Sequence, residues 1–217
     1  MSSAPRLAET LAPIDGASIE EGDVLEGVLW TGDGLEPSTR EIQVVGSRLC
    51  GVRLTGAEIE VLTLLDTIVE DCELSGAVVS GWRCERVVFS DCRMTGIVAA
   101  DMRARHVRFS NCQLDGAWLR SASFDHCELV DCDLTNADLY GARLVASRLV
   151  RCRLDGAELS GVEADELALH GSSLNGAKGI ASLQKLIIGT DQVMELAIPL
   201  LAARGIRIDD DYLDDDD

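Results

Sequence analysis

Apolar residues recur at every fifth position of this chain, in a single phase, from Val44 to Leu174. The series runs Leu49, Leu54, Ile59, Leu64, Val69, Leu74, Val79, Cys84, Phe89 and Met94. It continues through Phe109, Leu114, Leu134 and Leu154 to Leu174, and none of the 26 positions after Val44 slips out of phase. A helix buries a stripe of period 3.6 and a half-buried strand one of period 2, so neither can use a beat of five. Such regularity describes small identical units stacked on one another. A second, mostly smaller residue stands two positions before each beat, as at Cys72, Ala77, Cys92, Cys112, Ala117, Cys132, Ala137, Cys152 and Ala157. One large and one small inward position in every five describe a narrow, filled tube.

The words between the beats read A-D-L-Y-G at Ala137–Gly141, A-E-L-S-G at Ala157–Gly161 and C-D-L-T-N at Cys132–Asn136. These words resemble those of the pentapeptide repeat family. The resemblance implies an all-β solenoid, a right-handed quadrilateral parallel β-helix. Each five-residue word would form one side of a square, and four words one coil. It lies in the core and carries no site residues across. Some members of the family bind DNA gyrase with acidic rods that imitate duplex DNA, and some form dimers through C-terminal helices.

A coil of 20 residues predicts that residues 20 apart stack at strand spacing, about 4.8 Å. Cys72, Cys92, Cys112, Cys132 and Cys152 then form one column, and Leu54, Leu74, Met94, Leu114, Leu134, Leu154 and Leu174 a core ladder. Phe89 and Phe109 stack in another. Gly56, Gly76, Gly96, Gly116, Gly156 and Gly176 line a corner, with Asn136 the one substitute; glycine and asparagine tolerate the positive φ of tight turns. Outward columns carry both signs: Glu73, Arg93, Gln113, Asp133 and Arg153 on one line, Arg108, Glu128 and Arg148 on another. Residues 42–178 are thus expected to form the β-helix, in all about seven to eight coils with a short C-terminal helical cap.

The ends depart from the beat. Ile14, Ile19, Val24 and Leu29 fall on the same fives, but Gly32–Thr39 loses the pattern. Residues 1–41 are read as an N-terminal cap or imperfect first coil plus a loop. Beyond Gly179 the fives vanish. Ser182–Ile188 and Thr190–Arg204 read as helices, with Thr190 as N-cap, Gly205 at C′ and a kink or break at Pro199. Val193, Leu196, Ala197, Leu200 and Leu201 make one apolar face, which covers the last coil or forms a dimer contact. Residues 179–208 are therefore a helical cap, and residues 209–217, with seven aspartates in nine positions, a disordered acidic tail.

Several chemistries are weighed and set aside. His106 and His126 stack across one corner, but no third ligand joins them, so no metal is expected. The cysteines sit for packing rather than for pairing, which suits a reducing cytoplasm. There is no hydrolase elbow, P-loop or dinucleotide fingerprint in a supporting context, so neither a catalytic residue nor a cofactor is expected. No apolar run reaches membrane-spanning length. A formal net charge of −19 argues against direct nucleic-acid binding. That charge sits largely at the ends, with nine acids against two arginines in residues 1–41 and nine against three bases in residues 179–217. The rod between them mixes the signs in bands, which weighs against a gyrase-binding DNA mimic. A basic cluster of Arg83, Arg86, Arg103, Arg105, His106 and Arg108 either holds an anion or an acidic partner or balances the neighbouring acids. The reading is a noncatalytic scaffold or protein-interaction module with an unknown protein partner, engaged by a rod face, the helical end or the tail.

Overall fold

The structure is a computed structural model that describes residues 3–16, 19, 22–33 and 38–207. The acidic tail assigned to residues 209–217 lies outside the described residues. Sixteen strands wind into one continuous parallel sheet. They are β1 (Ala12–Asp15), β2 (Val24–Glu26), β3 (Val28–Asp33), β4 (Ser38–Val45), β5 (Arg48–Arg53), β6 (Glu58–Glu70), β7 (Val78–Ser90) and β8 (Arg103–Arg105). Then follow β9 (Arg108–Ser110), β10 (Ser123–Asp125), β11 (Glu128–Val130), β12 (Arg143–Val145), β13 (Arg148–Val150), β14 (Glu163–Asp165), β15 (Leu167–Ala168) and β16 (Leu186–Ile187). From β4 to β14 the partners are 20 residues apart, as in Leu64↔Cys84, Phe89↔Phe109 and Phe124↔Leu144. Short bridges continue the other two sides, for example Glu73↔Arg93↔Gln113 and Val98↔Trp118↔Asp138.

From Arg86 to Gly176 the chain turns a corner at every fifth residue. Asp91, Gly96, Asp101 and His106 have φ of 55°, 63°, 58° and 55°, all in the left-handed region. Four such corners in one 20-residue coil make the cross-section four-sided, and about eight coils stack. Only one corner is mostly glycine. The others hold Asp, Asn, His, Ser, Arg and even Ala146 at φ 47°. The backbone bonds between coils outweigh the ~1–2 kcal/mol that a left-handed Cβ costs.

Inside, the twelve residues of the predicted leucine–methionine and cysteine columns are buried, none more than 5% exposed. The small inward position also has a polar task. Cys72, Cys92, Cys112, Cys132 and Cys152 each donate Sγ–H to the carbonyl two residues earlier, at 3.2–3.6 Å. Ser47, Thr67 and Ser147 donate to the same place at 2.7–2.9 Å. Carbonyls such as those of Ser90, Ser110 and Val130 already accept a backbone N–H from the adjacent coil, so thiol and hydroxyl interchange there as a second donor to the same oxygen. All eight cysteines are free thiols. Burial holds Cys84 well above the ordinary thiol range and pushes Cys127 up to about 12. Phe89 and Phe109 stack at 4.7 Å, and Trp82 meets Phe89 edge-on at 5.9 Å. Trp82 and Met102 occupy small-slot positions, while the next beats hold only Cys84 and Ala104. The exchange of large and small keeps the tube filled.

Both ends differ from expectation. At the N-terminal end the phase moves by one residue. Leu25 and Trp30 are buried, whereas Val24 is 59% exposed. Here Val24 pairs with Gln43 and Leu29 with Arg48, a coil of 19 residues, and a register shift between Thr31 and Asp33 restores the 20-residue spacing. At the other end Ser182–Ile188 is not a helix. Ile180–Ser182 forms a single 3-10 turn, and β16 pairs with β15. The last coil leaves the backbone of Leu167–Leu169 without a partner, and an extended segment supplies one. Thr190 lies inside a second 3-10 turn whose N-cap is Gly189. The helix proper, α1, spans Val193–Ala203 as one element that includes Pro199. Gly205, at φ 72°, closes it at C′; its N–H bonds to Ala202, and that of Ile206 to Leu201.

This end is fastened by side chains that the apolar pattern does not reveal. The buried Gln192 amide donates to the carbonyls of Leu169 and Ser172 at 2.6 and 2.7 Å. Its oxygen accepts the Gly189 N–H at 2.9 Å, and the Glu195 carboxylate accepts that of Leu174 at 2.8 Å. The end of the solenoid is thus closed by hydrogen bonds as well as by apolar cover.

Candidate interaction surfaces

Several outer columns are ladders in which charge alternates from coil to coil. Arg108 and Arg148 flank Glu128 at 3.4 and 3.6 Å. Arg151 forks onto Asp131 at 2.6 and 2.7 Å, Lys185 meets Asp165 at 2.7 Å, and Arg153 bonds to Asp133. Most of these pairs are well exposed, so solvent screening leaves each of them a small contribution to stability. An open groove of about 620 Å³ over Asn111, Asp131, Asp133, Arg151 and Arg153 is electrostatically closed, because both arginines are already bound to its aspartates.

The basic cluster separates into two kinds of residue. Arg86 forks onto Asp66 at 2.7 Å through Nε and Nη2, and also bonds to Glu85. Asp66 accepts the Arg6 N–H as well, which ties the N-terminal segment to this corner. The Arg86 fork holds the Asp66 carboxyl below the usual carboxylate range. Arg105 reaches Asp125 at 3.5 Å and Arg108 reaches Glu128. Arg83 and Arg103 remain exposed, side by side, beside a groove of about 380 Å³.

His106 and His126 lie on adjacent coils with ring centroids 5.2 Å apart and planes tilted by 51°. Among the described residues no group of three metal-ligating side chains forms. His126 Nδ1 is bonded to Asp125 at 2.7 Å, while His106 Nδ1 is buried without a partner. Burial, with the neighbouring His126 and Arg105, lowers the His106 pKa.

A third arrangement could not be read from the five-residue beat. Trp118 and Tyr140 are 56% and 52% exposed and point outward from adjacent coils. The Arg120 guanidinium lies between them, 5.9 Å from the Trp118 ring centre and 5.7 Å from that of Tyr140. Asp138 fixes it there through a bond of 2.6 Å to Nε. The other two tryptophans, Trp30 and Trp82, are fully buried. The spacing from Trp118 to Tyr140, one coil plus two residues, is the only sequence signal that places both on one face.

The C-terminal candidate face is divided by the fold. Leu196 is buried against the last coil, and Ala197 and Leu201 are half-buried. Val193 and Leu200 are exposed, together with Met194 at 76% and Ile198 at 59%. Helix α1 thus carries an inner apolar edge that covers the solenoid and an outer one facing solvent. No helix among the described residues is long and apolar enough to cross a membrane.

A four-sided parallel β-solenoid with an inward residue at every fifth position defines the class of protein. Residues 104–178, about a third of the chain, match the family described as pentapeptide repeat region. The chain is similar to the solved structure of QnrB1, a plasmid-mediated fluoroquinolone resistance protein, at 17% identity over 83% of this chain and 97% of that one, with a TM-score of 0.36. It is also similar to HetL, a pentapeptide repeat protein involved in heterocyst differentiation regulation from Nostoc sp. strain PCC 7120. That match has 17% identity over 84% of this chain and 89% of that one, with a TM-score of 0.39. A pentapeptide repeat protein from the Arabidopsis thaliana thylakoid lumen matches at 19% identity over 49% of this chain and 71% of that one, with a TM-score of 0.28. No curated protein matches this chain in sequence.

Proposed function

We propose that this chain is a noncatalytic protein-interaction module whose rod face captures a protein partner. The observation that carries this reading is the Trp118–Arg120–Tyr140 cluster. Tryptophan, tyrosine and arginine dominate binding energy at protein interfaces, where large, rigid rings bury much area at little entropic cost. Holding Arg120 between the rings and on Asp138 orders the cluster before a partner arrives, which reduces the cost of association. The alternating ladders support this reading over mimicry of duplex DNA, which calls for continuous negative charge. We place the protein in the cytoplasm, where a reducing environment suits its free buried thiols.

A second surface, the outer edge of α1, is proposed to join two copies of the chain. Its exposed Met194 and Ile198, one turn apart, form an apolar patch, with Val193 and Leu200 exposed further round the helix.

The rod-face proposal is tested by replacing Trp118 and Tyr140 with serine together. Outward positions leave the core untouched, so the thermal transition should move by no more than a few degrees. Affinity for the partner captured by the unaltered protein should fall at least tenfold, which is about 1.4 kcal/mol. Undiminished affinity in a folded variant would refute the assignment.

A further inference from the structure

Arg83 and Arg103 break the rule that the other cations of the ladders follow. Elsewhere a cation in a ladder generally faces an acid or a neutral residue on the next coil. Here β7 and β8 set Arg83 directly against Arg103 in register, the one place among the described residues where two arginines face each other across adjacent strands. Like charges opposite one another on a sheet are destabilising. The acids within reach are engaged elsewhere. Glu85 bonds to Arg86, and Asp125 is held by His126 at 2.7 Å and by Arg105 at 3.5 Å. The ladder continues with Thr63 on one side of the pair and Ser123 on the other, so four consecutive coils present hydroxyl, guanidinium, guanidinium and hydroxyl. All four line the same open groove of about 380 Å³.

We propose that this groove binds a phosphate monoester dianion. A single guanidinium fork satisfies a carboxylate, as Arg86 does at Asp66. Two forks stacked one coil apart, about 4.8 Å, instead grip a tetrahedral group from both sides. The flanking hydroxyls of Thr63 and Ser123 add donors to its remaining oxygens. Two negative charges on one small group also neutralise both arginines at once, which removes the repulsion between them. The phosphate belongs either to a small molecule or to a phosphorylated residue of a protein.

The test is titration of the full chain with inorganic phosphate above pH 7.5 at constant ionic strength, followed by NMR of the arginine Nε–H groups. Arg83 and Arg103 should shift saturably, with a dissociation constant in the millimolar range, while the ion-paired Arg148 and Arg151 stay still. The double variant R83Q/R103Q should lose the saturable response, and its unchanged melting curve would show that the fold persists. A phosphoserine peptide that binds at least tenfold more tightly than inorganic phosphate would assign the group to a protein. Equal binding would assign it to a small phosphate ester. Uniform, unsaturated shifts at all arginines would overturn the proposal, as would saturation that survives in R83Q/R103Q. So would an aspartate-rich peptide that competes as well as phosphate.

Discussion

At the scale of single residues, the fold depends on where a Cβ can go. Gly179, at φ +77°, lies against the previous coil, and an added Cβ would stand 2.3 Å from the Ser160 nitrogen and 2.6 Å from the Leu159 carbonyl carbon. Gly96, at φ +63°, has nothing within 4 Å of such an atom. Gly96→Ala should therefore cost only the left-handed strain, about 1 kcal/mol, whereas Gly179→Ala should cost about 3 kcal/mol or more and loosen the C-terminal cap. Paired chemical denaturation of the two variants checks the difference. The His106 imidazole makes a separate prediction about pH. Its folded pKa lies below the unfolded value of about 6.5, so the unfolded chain takes up a proton first. This contribution to stability is complete above that value and is lost as pH falls from about 6.5 through the folded pKa. His106→Asn, which keeps a residue tolerant of the corner φ of 55°, should flatten the stability curve over that interval. An unchanged slope would mean that the buried Nδ1 is not the cause.

At the scale of elements, the inward beat is legible in the sequence because every coil uses it and the solenoid has one core. The corners are less legible. Glycine marks one of the four, but Asp, His, Ser and Arg occupy the rest because inter-coil hydrogen bonds hold their backbone in place. The N-terminal phase escaped the count of fives because a coil of 19 residues moves Leu25 and Trp30 inward and turns Val24 out. Ser182–Ile188 carries apolar residues that suit a helix or a strand, and the bare edge of β15 decides for the strand. The candidate face of α1 was half legible, since helical periodicity finds an apolar face but not which edge of it the last coil covers. Leu196 went inward, and Met194 and Ile198 joined Val193 and Leu200 outside. If that outer edge joins two copies, light scattering should show a dimer that Met194→Glu with Ile198→Glu converts to a monomer. A persistent dimer in that variant would place the contact elsewhere, and a monomeric unaltered chain would remove it.

At the scale of the whole molecule, the solenoid separates stability from recognition. Inward positions make the tube, and outward positions are free to vary because each contacts only its neighbours on the adjacent coils. For that reason the sequence pattern reveals the core and conceals the sites. Arg120 and Tyr140 are one coil apart but outward, where the inward beat says nothing of residue type, and Arg83 and Arg103 stand out only once their neighbours are seen to be paired with acids. The central claim is that the rod face around Trp118 receives a protein. A photo-reactive amino acid at position 118, compared with one at Arg148 on another column, tests it most directly in the native cell extract. The account predicts one discrete protein adduct from position 118, suppressed by excess unlabelled chain, and none from position 148. Equal, diffuse labelling from both positions, or no adduct at 118, would contradict it.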